Sequence, residues 1–275
     1  LQSQKYYFEV INKHFNQSNF INIDKMENYF NKIVPLFIIG LPRSGSTLVE
    51  AILTSSKENI PSFGESAFIN MAVLKQFSSY ILSEDENFKK CNFKVNEFEN
   101  FVNKKYSQFS LIDRDIKFFL DKSLENFHNI DFILNIFPKA KFIHCHRNLK
   151  DSIIAIYQSL LPKLSWSHSI ENILIYIDNY RKIIKYFKKK YPKIILDMSL
   201  EDLTLNEERV SKEIFQFCNL KWEKEVLQFY SRTNLDVRTT SNTQIRNKIS
   251  SYNKNKYSKY FYLFKEYETN FNWLK

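Results

Sequence analysis

Gly40-Leu41-Pro42-Arg43-Ser44-Gly45-Ser46-Thr47 is the stretch of this sequence whose residue types and spacing most directly suggest chemistry. It lies between a short apolar run, Pro35 to Ile39, and a segment whose apolar residues Leu48, Val49, Ile52 and Leu53 recur at helical spacing. A glycine-spaced turn from strand into helix is an anion cradle, because backbone N–H groups converge on the ligand at the positive end of the helix dipole. The G-x4-G spacing matches the nucleoside-triphosphatase loop GxxxxGK(S/T), but Ser46 stands at the lysine position and Arg43 lies inside the loop. Such a loop can hold a phosphate yet is poorly equipped for Mg-assisted hydrolysis of a γ-phosphate. The next long apolar strand ends in His144-Cys145-His146-Arg147, without the metal-holding Asp of a Walker B strand.

The elements that must position this loop read as alternating strands and helices. Apolar runs at 35–40, 116–120, 141–145 and 193–196 are separated by helical periodicity over 47–54, 67–82, 130–137, 151–161, 169–190 and 210–218. That alternation predicts an α/β domain with a P-loop-like three-layer build, in which a parallel sheet of about five strands is flanked by helices. Residues 1–31 read as a helical lead-in to a domain over 32–275, and the polar segment 84–109 as an insertion or cap. A Lys/Tyr-rich helix is expected up to about Tyr267.

Composition narrows the classes. Three glycines stand where average usage of about 7% would give roughly 19, and all three, Gly40, Gly45 and Gly64, lie between positions 40 and 64. Collagen-like, glycine-linker and propeller architectures are excluded. The 44% apolar content supplies a core, while the net charge of +10 is discounted because heavy Asn, Lys, Ile, Phe and Tyr usage is what an AT-rich coding sequence produces. Basic charge still suits anionic ligands. Cys91, Cys145 and Cys218 are odd in number and widely spaced, which argues against a disulfide framework and for a reducing compartment, the cytoplasm. No apolar run reaches the ~18–20 residues of a membrane span. The chain opens on Leu1, which predicts a longer parent protein.

Pro35-Leu36-Phe37-Ile38-Ile39-Gly40-Leu41-Pro42-Arg43-Ser44-Gly45-Ser46-Thr47-Leu48 closely resembles the 5′-phosphosulfate loop, PxFxxGxPRSGTTL, of sulfotransferases that use 3′-phosphoadenosine-5′-phosphosulfate (PAPS). Within that superfamily it is most similar to the bacterial group often fused to tetratricopeptide repeats and to the tyrosylprotein sulfotransferases. The resemblance implies that Arg43, Ser44, Gly45, Ser46 and Thr47 surround the 5′-phosphosulfate. Further motifs follow in the family's order. Phe63-Gly64-Glu65-Ser66 resembles the GE dipeptide that carries the catalytic base, nominating Glu65; sulfuryl transfer to a hydroxyl needs a group to take the proton as the O–S bond forms. Unaided, Glu65 would be an ordinary helix-start residue. Asp121-Lys122-Ser123-Leu124-Glu125-Asn126-Phe127 resembles DKxPxNF, placing Lys122 at the bridging oxygen and transferring sulfonate, where a cation is the largest electrostatic lever.

His146-Arg147-Asn148-Leu149-Lys150-Asp151 resembles the 3′-phosphate strand–loop, RNxKD or RRDPxD, with Arg147 as the bidentate donor. Ala155 replaces the family's phosphate-binding Ser, and Ser152 or Ser159, one helical turn to either side, are the compensating candidates. Thr239-Thr240-Ser241-Asn242-Thr243-Gln244-Ile245-Arg246 resembles TxSxxQVR, assigning Ser241 a hydrogen bond at the reacting centre. Lys256-Tyr257 is in register with an (R/K)W pair, making Lys256 a second phosphate cation. Leu200 stands where the family often has a tyrosine that can contact adenine.

The reading is therefore in-line sulfuryl transfer from PAPS, which leaves as 3′-phosphoadenosine-5′-phosphate (PAP). Glu65 is the base, Lys122, Ser241 and Arg43 stabilise charge, and arginine and lysine make a metal unnecessary. The acceptor is a hydroxyl, with a peptide tyrosine as the specific expectation and a carbohydrate or small molecule as alternatives; a homodimer is left open, and neither membrane nor nucleic acid is an expected partner. Two other classes stay open. A P-loop small-molecule or nucleoside kinase shares the loop, against which stand Ser46 and the absent Walker B Asp. A basic nucleic-acid-binding protein shares the charge, but its lysines are interspersed with Glu and Asp outside any recognisable binding module.

Overall fold

The computed structural model describes residues 33–71, 73–74, 117–232 and 246–275. Val34–Gly40 forms strand β1, Phe118–Asp121 β2, Lys141–His146 β3 and Ile195–Ser199 β4. They make a parallel sheet in the order β2-β1-β3-β4, with Phe37 opposite both Asp121 and Phe142 and with Gly40 opposite Cys145. Successive side chains leave a strand on opposite faces. Phe37, Ile39, Phe119 and Phe142 therefore enter one core, and Leu36, Ile38, Leu120 and Ile143 the other.

Helices cover both faces. On the first lie α2 (Ile130–Ile136), α3 (Leu149–Ser159) and α4 (Ile170–Lys190), through Ile133, Ile153, Ile156, Ile177 and Ile184. On the second lie α1 (Ser46–Thr54) and α6 (Glu207–Cys218), through Val49, Ile52, Ile214 and Phe215. Local chemistry sets several starts: the Asn148 side chain accepts from Asp151 N–H at 3.1 Å to cap α3, and Ser169 accepts from Asn172 N–H at 3.1 Å to cap α4. Lys188, Lys189 and Lys190 close α4 at the negative end of its dipole.

The expected three-layer α/β class holds, with refinements. The described residues contain four strands where about five were expected. On the outer edge of β2 the extra partner is a single bridge, Ser62 with Leu120, extended by Phe63 N–H to Leu120 O at 2.8 Å and Lys122 N–H to Gly64 O at 2.9 Å. β4 lies two to three residues later than its apolar run suggests, because an edge strand tolerates the polar Asp197 in its middle. The short helix α5 (Leu200–Leu205) is too brief to show periodicity; its signal was the Ser199 cap followed by Glu201 and Asp202. The C-terminal helix is a 3-10 helix over Ser258–Tyr267. Three residues per turn align Phe261, Phe264 and Tyr267, which pack on the first core. Residues 1–31 and 84–109 lie outside the described residues, as does most of the expected helix 67–82. Among the described residues no helix is long and apolar enough to cross a membrane.

Candidate active site

The Gly40–Thr47 turn joins β1 to α1 at the C-terminal edge of the sheet, where parallel α/β folds bind ligands. Two glycines have separate reasons. A Cβ on Gly40 would stand 2.2 Å from the Cys145 carbonyl oxygen, so this residue lets β1 lie against β3. Gly45, at φ +89°, caps α1 in the left-handed region, and a Cβ there would meet Leu200 Cδ1 at 2.7 Å. Arg43 adopts φ 65° at the loop apex, in the left-handed region that a residue with a Cβ seldom enters. Ser44 is fully buried and its hydroxyl donates to the Leu41 carbonyl at 2.6 Å, bracing the turn from within. Arg43, Gly45, Ser46 and Thr47 instead line a cavity of about 1110 Å³.

Glu65 lines the flank of this cavity, and Lys122 meets it from the buried side, outside the lining. The backbone bonding of the 61–64 segment to β2 carries Glu65 to the strand end, where Lys122 Nζ donates to Glu65 Oε1 at 2.8 Å. The Lys122 side chain is fully buried, while that of Glu65 is 55% exposed and faces the cavity. Lys122 has a second carboxylate, Glu50 of α1, at 3.6 Å, and Glu50 Oε1 accepts from Ser62 Oγ at 2.6 Å. The neighbouring Asp121 is structural: it accepts from Ser123 N–H at 2.8 Å, Asn126 Nδ2 at 3.1 Å and Ser66 Oγ at 3.0 Å, folding the turn that presents Lys122.

Arg147 follows β3 and is tied to the loop. Its Nη1 donates to the Arg43 carbonyl at 3.2 Å, its Nη2 donates to Tyr252 Oη at 2.9 Å, and Asp151 lies 3.6 Å away. The guanidinium sits between the rings of Tyr252 and Tyr257, 5.1 and 5.5 Å from their centroids. The Tyr252 hydroxyl also donates to Asp151. Burial and the neighbouring Arg147 charge pull the Arg43 guanidinium below its ordinary value, partly offset by Tyr257. Two cations held this close suit a ligand with several negative charges. Lys256 is exposed on the cavity wall, its Nζ 5.2 Å from the Tyr257 ring.

The remaining sequence-derived residues divide. Ser152 is buried, donates to the Asn148 carbonyl at 2.9 Å and does not line the cavity; Ser159 likewise bonds back to Ala155 O at 2.7 Å. Ser241 lies outside the described residues. Leu200 lines the cavity against Gly45. Sequence reasoning missed Glu50, Glu125 and Tyr252. Glu50 had a weak signal, standing three residues after Thr47 on one face of α1; Tyr252 had none, since only the fold brings it 105 positions back to Arg147.

The adjacent histidines serve the sheet. His144 is buried, its Nδ1 2.6 Å from Asp197 Oδ1 and its Nε2 on the Tyr180 hydroxyl, with His146 stacked 5.5 Å away. Burial depresses His144 to about 4 against the opposing pull of Asp197, so the ring is neutral at pH 7. Among the described residues no group of three or more His, Cys, Asp or Glu is placed to hold a metal ion. Cys145 and Cys218 are free and buried, and burial pushes the Cys218 thiol up to about 12.

A model of the sulfotransferase family matches residues 35–224. An uncharacterized protein of Aquifex aeolicus (strain VF5) is 30% identical over 237 residues, covering 82% of this chain and 30% of that protein, so the chain spans about 30% of the length of this curated relative. Among solved structures, the sulfotransferase domain from the Synechococcus PCC 7002 olefin synthase is similar with a TM-score of 0.58, at 19% identity over 82% of this chain and 88% of that one. The sulfotransferase domain from the curacin biosynthetic pathway is similar with a TM-score of 0.51, at 17% identity over 80% and 84% of the two chains. These structural likenesses speak for the fold, while the family match runs across every element from β1 to α6. The protein belongs to the sulfotransferase family.

Proposed function

We propose that the protein is an enzyme that transfers the sulfuryl group of PAPS to an acceptor hydroxyl, with a tyrosine phenol as the specific acceptor. The observation that carries this reading is the half-exposed carboxylate of Glu65 held 2.8 Å from the buried Lys122 ammonium, on the cavity that the Gly40–Thr47 turn also lines. A base and an anion cradle with its own cation, Arg43, line one space, and a second cation, Lys122, is buried directly behind the base; sulfuryl transfer requires these groups together.

In this mechanism the N–H groups at the start of α1, with Arg43, Ser46 and Thr47, hold the 5′-phosphosulfate, and Arg147 and Lys256 hold the 3′-phosphate. Ser152 contributes to that end only by releasing the Asn148 carbonyl. Glu65 takes the acceptor's proton as its oxygen bonds to sulfur, and the bond from sulfur to the bridging oxygen breaks in line, releasing PAP. Protonation cancels the Glu65 charge beside Lys122. The ammonium is then drawn toward the sulfonate and bridging oxygen at the moment negative charge develops there. Ser241 is assigned a hydrogen bond to the same centre. Arginine and lysine supply the countercharge that a metal provides in other phosphate chemistry.

Titration calorimetry with PAP is expected to show binding at micromolar concentrations. Binding of ATP with Mg²⁺ in its absence would overturn the reading in favour of a kinase. Glu65→Ala is expected to retain PAP binding and lose turnover; loss of both together would make Glu65 structural.

A further inference from the structure

The far end of the cavity has a character of its own. Glu65 and Lys122 lie on two segments pinned together where Ala67 N–H donates to Ser123 Oγ at 2.8 Å. Past that pin the wall is apolar and aromatic: Leu124, Leu161 and Leu164 stand with Trp166 and Tyr176, whose rings stack at 3.7 Å and 5° between planes. Within this wall sits one carboxylate, Glu125, in the 3-10 turn Leu124–His128, three residues beyond Lys122.

Glu125 accepts a hydrogen bond from Tyr176 Oη at 3.4 Å, and burial raises it above the usual carboxylate range, with that hydrogen bond pulling the other way. Among the described residues no cation pairs with it; Lys163, also on the wall, is exposed and makes no ion pair. A partly desolvated carboxylate without a countercharge is stabilised by a ligand that brings one and repels a ligand that is itself anionic. The stacked rings are themselves almost wholly buried, so they stiffen an apolar wall, formed with Leu124, Leu161 and Leu164, that suits the hydrocarbon of an aromatic ring.

We propose that the acceptor is an aryl hydroxyl bearing a cationic amine: its ring lies on the Trp166–Tyr176 wall, its ammonium pairs with Glu125, and its hydroxyl reaches Glu65. The step is sulfuryl transfer to the phenol oxygen. The phenol O–H gives its proton to Glu65, the O–S bond forms, and the bond from sulfur to the phosphate oxygen breaks with release of PAP. This inference rests on the sulfuryl-transfer reading and narrows its acceptor from any tyrosine-like phenol to one with positive charge remote from the hydroxyl.

Three phenols of matched shape test it with labelled PAPS: tyramine, 4-ethylphenol and 3-(4-hydroxyphenyl)propionate. The expected order of kcat/KM is tyramine, then 4-ethylphenol, then the propionate, with tyramine ahead of the propionate by about 30-fold or more, the factor that corresponds to roughly 2 kcal/mol for a desolvated charge pair. Glu125→Gln is expected to bring that ratio to within about threefold, and Glu125→Asp to keep the order. Equal rates or a preference for the propionate in the wild-type protein would overturn the proposal, as would an unchanged ratio in Glu125→Gln or sulfation of none of the three by protein that binds PAP. The wild-type order tests the idea without any variant. Failure of the protein to bind PAP would instead overturn the sulfuryl-transfer reading.

Discussion

Replacing Lys122 by Met separates what this residue does for stability from what it does for chemistry. The Lys122 side chain is fully buried and Glu50, at 8% exposure, stands 3.6 Å from its Nζ. Coulomb attraction at that distance is roughly 4–5 kcal/mol at an effective dielectric of about 20. Removing one member of a buried pair costs about 3–5 kcal/mol, because the other charge is left without compensation. Glu65 adds little to that loss, since its side chain is 55% exposed and water replaces its partner. At about 2–4 °C per kcal/mol for a domain of this size, Lys122→Met should melt roughly 6–20 °C below wild type. Adding Glu50→Leu removes the orphaned charge, and the double variant should regain most of the melting temperature. Turnover should behave otherwise, falling about 10²–10³-fold in the single variant and staying low in the double one, as expected when a cation at developing charge is lost. Calorimetric melts and labelled-PAPS assays on wild type and the three variants (the two single substitutions and their combination) complete the cycle. Recovery of turnover together with stability would refute the argument, since Lys122 would then be only a structural counterion.

The three glycines should rank by what a Cβ meets. Gly40→Ala, 2.2 Å from a backbone carbonyl, should lower the melting temperature most; Gly45→Ala, facing the flexible tip of Leu200, should cost less stability while weakening PAP binding; Gly64→Ala, in open space at φ +57°, should cost only the ~1–2 kcal/mol of the left-handed backbone. Tyr252→Phe removes the hydroxyl that receives Arg147 Nη2 at 2.9 Å and should weaken PAP binding about fivefold by calorimetry, the equivalent of one hydrogen bond of about 1 kcal/mol. Burial depresses His144 to about 4 and His128 to about 3, whereas both titrate near 6.5 when unfolded. Between those values the unfolded chain binds more protons, so stability is complete above pH 6.5 and is lost as pH falls toward 4. Melts from pH 7.5 to 4.5 should show that decline, and His128→Phe should flatten it.

Much of the frame was legible because its signals are local. Leu36 to Ile39 form a continuous apolar run because both faces of β1 are buried, and Leu48, Val49, Ile52 and Leu53 repeat at helical spacing because α1 presents one side to the sheet. The loop between them is contiguous in sequence, so its glycines and Arg43 could be read together. What escaped is long-range. Glu50 and Glu65 became partners of Lys122 only once the 61–64 segment bonded to β2, and Tyr252 reached Arg147 only by the return of the chain past α6. Ser152 illustrates a different limit of local reading. One turn from Ala155 is close on a helix, but its hydroxyl is spent on the Asn148 carbonyl, a local bond that competes with ligand contact.

The strip from Pro61 to Gly64 has a second effect, unrelated to turnover. An uncovered parallel strand offers its peptide groups to any neighbouring molecule, and among the described residues β2 is the border strand on its side of the sheet. The strip occupies those groups, through Leu120 N–H to Pro61 O and Phe63 N–H to Leu120 O. At the opposite border, β4 carries the charged Asp197, half exposed and paired with Lys188 at 2.6 Å. The segment that delivers Glu65 therefore also guards the sheet against self-association. A substitution that frees it should first reveal itself as aggregation in a light-scattering trace, before any loss of rate is measured.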